Sequence, residues 1–187
     1  MRLLLIFCLL LTTAAQAACP PNPERSARHT ELMALLADAP NETVAREYSN
    51  ELWNIWGTAP DTTAQEILQR GMERRQAFDL RGALEDFNTL IDYCPGYAEG
   101  YNQRAFINFI GRDYEIALED LDRALAITPD HIGALTGRAL ALIQLGRDRE
   151  GQLVLREALK LNPWLPERNR VTPLPPVPQE TVPEVEL

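Results

Sequence analysis

A chain of 187 residues, 45% hydrophobic and 24% charged, has the length and composition of one ordinary globular domain. Its formal net charge of −9 at pH 7 argues against binding nucleic acid or an anionic membrane surface through bulk charge. Two regions depart from the average: the first 18 residues are apolar and small, and the last 22 or so are rich in proline. The folded part is therefore expected between them.

Residues 1–17 read as a secretory leader. Arg2 supplies the positive end, Leu3 to Leu11 the apolar stretch, and Ala15-Gln16-Ala17 a small-x-small cleavage site. The apolar stretch is too short to span a bilayer as a helix. Cleavage after Ala17 would remove Arg2 and Cys8, take the net charge from −9 to −10, and leave a mature chain that starts Ala18-Cys19-Pro20. The rival reading is a lipoprotein lipidated at Cys19; Gln16 stands where a lipobox carries an aliphatic residue. No later stretch approaches 18 apolar residues, so no integral membrane segment is expected in the mature chain. The expected location is periplasmic or secreted. There Cys19 and Cys94 are candidates for a disulfide, the other reading being two unrelated thiols. Closing so long a loop would contribute roughly 4 kcal/mol on the chain-entropy account.

After an N-terminal segment at 18–25, residues 26–63 read as a helical hairpin. Glu31 to Asp38 suits one helix, Asn41 is a candidate cap, and Glu42 to Trp56 is a second, amphipathic helix ending at Gly57-Thr58-Ala59-Pro60. Trp53 and Trp56 are expected to pack against the unit that follows.

Internal periodicity dominates the rest. Pro95, Pro129 and Pro163 are each 34 residues apart, and each follows an amphipathic stretch at a point where a helix must stop. With proline at position 32, the units are 64–97, 98–131 and 132–165. Position 8 holds Gly71, Ala105 and Ala139, and position 20 holds Ala83, Ala117 and Gly151. Small residues there let the two helices of a hairpin approach closely. Larger ones at position 4 (Ile67, Tyr101, Leu135) and position 24 (Phe87, Leu121, Leu155) fill the space around that contact. Such a hairpin cannot bury its apolar surface alone, so neighbours must stack. Arg70, Arg104 and Arg138 recur at position 7, with Asp86 and Asp120 at position 23 and Val154 in the third unit. An anion-binding stripe is one reading of the arginines; an inter-helix ion pair repeated with the unit is favoured, because charges near a core are usually paired. Residues 166–187 carry Pro173, Pro175, Pro176, Pro178 and Pro183 and are expected to be extended or disordered.

The three units resemble the tetratricopeptide repeat family. The middle unit carries the resemblance best, in Ala98-Glu99-Gly100-Tyr101-Asn102-Gln103-Arg104-Ala105, Gly111-Arg112-Asp113-Tyr114 and Asp122-Arg123-Ala124-Leu125-Ala126-Ile127-Thr128-Pro129. The resemblance implies an all-α, right-handed superhelix of stacked antiparallel hairpins, with 26–63 as a degenerate N-terminal hairpin beside about three true units. It also implies that the first helix of each unit lines a concave binding groove. By that correspondence the groove holds Leu68, Met72 and Arg75 from the first unit, Glu99, Asn102, Phe106, Phe109 and Ile110 from the second, and Thr136, Leu140, Ile143 and Gln144 from the third. Asn102 and Gln103 are expected to hydrogen-bond an extended backbone. The family's two-carboxylate clamp has no counterpart, since its positions hold Leu68, Met72, Gln103, Gly133 and Gly137. The groove is expected to be apolar and to take a protein or peptide, unless the N-terminal hairpin or the tail fills it.

Chemistry beyond binding finds no support. His29 and His131 have no metal-ligand spacing to other His, Cys or carboxylate pairs, and no CxxC, phosphate-loop, dinucleotide or nucleophile-elbow motif occurs. The sequence therefore predicts no enzyme, no cofactor and no metal.

Overall fold

A computed structural model of the chain describes residues 19–21 and 26–174. The expected leader at 1–17 and the proline-rich tail beyond 174 lie outside the described residues. Eight α-helices follow one another, with no strand among the described residues: α1 (Ala27–Ala37), α2 (Glu42–Trp56), α3 (Thr62–Gln76), α4 (Leu80–Tyr93), α5 (Ala98–Gly111), α6 (Tyr114–Ile127), α7 (Ile132–Gln144) and α8 (Asp148–Leu161). The proline register is visible directly. Helices α4, α6 and α8 each stop two residues before Pro95, Pro129 and Pro163. Side chains cap several starts: Asn41 accepts from the Val44 N–H at 3.1 Å, Asp61 from Ala64 at 2.8 Å and Asp79 from Gly82 at 3.0 Å.

Helices α3–α8 form three antiparallel hairpins stacked in series, each packed on its neighbour in the chain. The small residues at positions 8 and 20 make that approach possible. A Cβ on Gly71 would sit 2.5 Å from Phe87 Cε1, and one on Gly151 would sit 2.8 Å from the Ala139 carbonyl oxygen. Phe87, Leu90, Leu142 and Leu155 are fully buried beside these contacts. Each such side chain contributes about 1.5–3 kcal/mol by leaving water. The arginine column is a packing device. Arg70 pairs with Asp86 at 2.7 Å, and Arg104 grips Asp120 with two bonds of 2.6 and 2.8 Å, both aspartates being buried. In the third unit Val154 replaces the aspartate, and Arg138 turns to Asp122 at 2.6 Å, on the exposed surface.

Two expectations are corrected. The α1–α2 hairpin does not extend the stack ahead of α3, and α2 and α3, adjacent in the chain, hardly touch. Its core of Leu32, Leu36, Leu52 and Trp56 closes instead on Ile132, Leu161, Trp164 and Leu165 from the far end of the array. Large side chains decide this: Trp164 Nε1 donates to the Ala39 carbonyl at 2.9 Å, and Arg168 pairs with Glu42 at 3.2 Å. The segment after residue 165 is not extended from its start. Pro166–Arg170 forms a 3-10 turn, and the chain then runs along α8, where the Thr172 N–H donates to Gln152 Oε1 at 2.9 Å and Arg156 donates to the Thr172 carbonyl at 2.7 Å. This stretch satisfies backbone and amide groups on the last hairpin, where a solenoid would otherwise leave its end open.

Candidate functional site

The hairpin lies along one edge of the concave face. Three residues 34 apart, Tyr97, His131 and Leu165, each the last of its unit, meet it. The Tyr97 hydroxyl donates to the Trp56 carbonyl at 2.7 Å. Burial, with the nearby Glu99 adding to it, pushes that phenol well above the ordinary tyrosine range. The His131 ring stacks on Trp56 with centroids 4.5 Å apart. Further along, Asn162 reaches Ser49 at 3.4 Å. Helix α2 thus runs from the last unit back toward the first.

Trp53 lies where a Cβ on Gly133 would collide with its indole ring, so the glycine is the notch that receives it. Beneath Trp56 is a buried polar knot. His131 Nδ1 accepts from the Ala134 N–H at 3.3 Å, so Nε2 carries the proton it donates to Glu99 at 2.9 Å. Asn102 and Gln103 donate to the other faces of the same carboxylate at 3.0 and 2.5 Å. Every member of this knot is buried and partnered, as a polar cluster in a core must be.

Between α2 and the helices α5 and α7 a cavity of about 420 Å³ remains. Phe106, Phe109, Thr136 and Leu140 form its floor, Leu52, Trp53 and Trp56 its wall, Arg75 one end, and Leu165, Pro166 and Glu167 the other. It is mostly apolar, and Phe106 and Trp53 stay 47% and 42% exposed at its rim. Arg75 donates to Gln103 Oε1 at 2.6 Å and lies 5.0 Å from the Phe106 ring centroid. Burial lowers its guanidinium below the ordinary arginine range, and the field of Glu99 opposes that shift.

Of the residues named from the sequence, Arg75, Asn102, Phe106, Phe109, Thr136 and Leu140 line this cavity. Leu68 does not, being fully buried against Phe87 and Leu90 inside the first unit. Glu99 is buried in the knot with His131. Met72 packs against the core of the first unit, Ile143 is half-buried away from the cavity, and Ile110 and Gln144 are exposed outside it. The amide N–H groups of Asn102 and Gln103 are turned to Glu99 and are not offered to an incoming backbone. The residues missed are the wall and one end: Leu36, Leu52, Trp53, Trp56, Leu165 and Glu167. Their one local signal was Gly133, at a would-be clamp position, a pit facing Trp53; Gly137 faces Leu121 within the array. Cys19 and Cys94 lie with Cα atoms 5.1 Å apart and their sulfurs at bonding distance, tying the segment ahead of α1 to the loop that precedes Tyr97. No group of three or more potential metal ligands occurs among the described residues, and no described helix is long and apolar enough to cross a membrane.

No protein-family model matches the chain. It is 36% identical over 106 residues to a tetratricopeptide repeat protein 36 homolog of Nematostella vectensis, covering 56% of this chain and 55% of that protein. It is 32% identical over 108 residues to a TPR repeat-containing protein of Rhizobium etli, covering 56% and 52%. The chain thus spans about half the length of the curated relatives it matches. Among solved structures it superposes on the first TPR of Spaghetti (RPAP3), bound to the HSP90 peptide SRMEEVD, with a TM-score of 0.57 and 20% identity, over 59% of this chain and 88% of that one. Repeat register, hairpin stacking and these likenesses agree on the fold: the described helices α3–α8 are stacked as in a tetratricopeptide-like array.

Proposed function

We propose that the protein is an exported scaffold that binds a segment of another polypeptide in the half-covered groove between α2, α5 and α7, with no catalytic step. The observation that carries this is the cavity itself. Even with α2 along its edge, about 420 Å³ remains open beside the exposed Phe106. Apolar space of that size, with a few polar groups at its ends, suits side chains docking from a partner. The superposed Spaghetti domain is bound to a peptide, which supports a polypeptide as the ligand here.

Export rests on the leader pattern at 1–17 and is supported by the juxtaposed Cys19 and Cys94, since a disulfide persists in an oxidising compartment. A cysteine bonded to Cys94 is not available for a lipid, which favours a soluble periplasmic or secreted form over a lipid anchor. A second reading has one observation in its favour: the hairpin already covers an edge of the groove, as in an envelope assembly module whose groove is filled from within.

Crosslinking in living cells, followed by partner identification with the wild type and with Phe106→Glu plus Phe109→Glu, decides between the two. Binding in the groove predicts a captured polypeptide lost in the double variant while its helical circular dichroism is retained. An unchanged set of crosslinks would rule the groove out. Mass spectrometry of the mature protein, reduced and unreduced, tests leader removal, lipid and disulfide together.

A further inference from the structure

Charge at the two ends of the cavity is unbalanced in opposite senses. At the end nearest the first unit stands Arg75, half-buried, which donates to the Gln103 amide oxygen and lies against the face of Phe106. At the other end, past the third unit, stands Glu167, also half-buried. Neither forms an ion pair among the described residues. This contrasts with the repeat column, where Arg70, Arg104 and Arg138 each hold an aspartate. Glu99 is felt by Arg75 across Gln103 but does not touch the guanidinium, because its oxygens are held by Asn102, Gln103 and His131. A half-buried charge with no opposite charge in direct contact leaves room for an incoming one to pair with it. Between the two charges the surface is apolar, formed by Trp53, Phe106, Phe109 and Leu140.

Resting on the reading of the groove as a polypeptide-binding site, we infer that its partner is a segment with an acidic side chain at the Arg75 end, a bulky apolar side chain in the middle and a basic side chain at the Glu167 end. The two charges set the direction in which the segment lies, since reversing it would bring like charges together. The apolar side chain supplies most of the affinity by filling the cavity against Phe106 and Trp53.

The test is to pan a displayed library of random linear peptides against the full-length protein and to sequence the peptides retained. The expected enrichment is one aromatic or leucine residue with an acid on one side and a base on the other. Arg75→Glu should shift the acid-to-base ratio on its side by about tenfold toward base, and Glu167→Lys should shift the other side by about tenfold toward acid. If Arg75→Glu does not fold, Arg75→Gln gives the same test as a loss of the acidic preference. Enriched peptides whose charges ignore all these variants overturn the inference and leave peptide binding standing. No enrichment by the wild type or by the tail variant below overturns the reading of the groove itself. One further arm covers the chain's own acidic end, with Glu180, Glu184 and Glu186 changed to glutamine in the full chain. Enrichment seen only in that variant would make the tail the occupant and overturn the assignment to a partner.

Discussion

The three repeats and the N-terminal hairpin are built from the same part, two antiparallel helices, yet they are held in place differently. The repeats carry a small residue at two facing positions, and each closes on its neighbour in the chain. The hairpin is placed by large residues that cross to the other side: Trp56 over His131 and Trp53 in the notch at Gly133 from the hairpin, and Trp164 of the last unit against Ala39. Stacking within the array is thus local and repetitive, while the wall of the groove is held by a few long-range contacts. That difference separates what makes the molecule stable from what shapes its binding surface.

Breaking one half of this comparison should leave the other intact. Phe87→Ala removes a fully buried ring from the stacked units and should cost about 3–5 kcal/mol, read as an earlier urea midpoint for the whole array. Trp56→Ala should cost about 3 kcal/mol, the low end of that range because the indole is not fully buried, and locally. Amides of α1 and α2 should lose hydrogen-exchange protection while those of α4 to α8 keep theirs; a uniform loss would show that wall and array are one cooperative unit. The ion pairs sharpen the contrast within the array. Arg104→Ala leaves the buried Asp120 without its two bonds and should cost about 2 kcal/mol, since Arg104 is itself partly exposed. Arg138→Ala, whose partner Asp122 is exposed, should cost less than about 1 kcal/mol by the same denaturation measurement.

The smallest effect concerns the junction of the two regions. Asp61 caps α3, and the Ala64 N–H, followed by the Tyr93 hydroxyl, holds its carboxyl below the ordinary aspartate value. A depressed folded-state value means that this contribution is fully present above the ordinary aspartate pKa and is lost as pH falls through the folded one. Asp61→Asn should flatten that acid limb of a stability–pH profile and change little at neutral pH.

The array was legible because its signals are local or periodic. Proline at every thirty-fourth position and small residues at two fixed sites gave the units, and the arginine–aspartate spacing gave their ion pairs. All four residues of the cavity floor, with Arg75 and Asn102, followed from the same register. The wall did not, because no sequence period links Ala39 to Trp164, 125 residues away, or Ser49 to Asn162, 113 residues away. Gly133 and Gly137 read from the sequence only as a clamp that is missing, since a glycine states that space is needed and not what enters it. Glu99 read only as a groove residue, and its pairing with His131 was not legible, because their shared burial depends on Trp56 arriving from outside the repeats.

The reach of α2 has a further consequence. Solenoids ordinarily gain or lose units at little expense, because each unit answers only to its neighbours. Here a helix of 15 residues, about 22 Å long, runs from the segment that closes the last unit to the one that closes the first, and touches the closing segment of each unit on the way. It acts as a ruler laid across the array. A duplicated unit would leave Trp164 and Leu165 beyond its end, and a deleted one would leave its tryptophans without the notch and the ring that receive them. The number of repeats in this protein is therefore measured by a helix that is not a repeat.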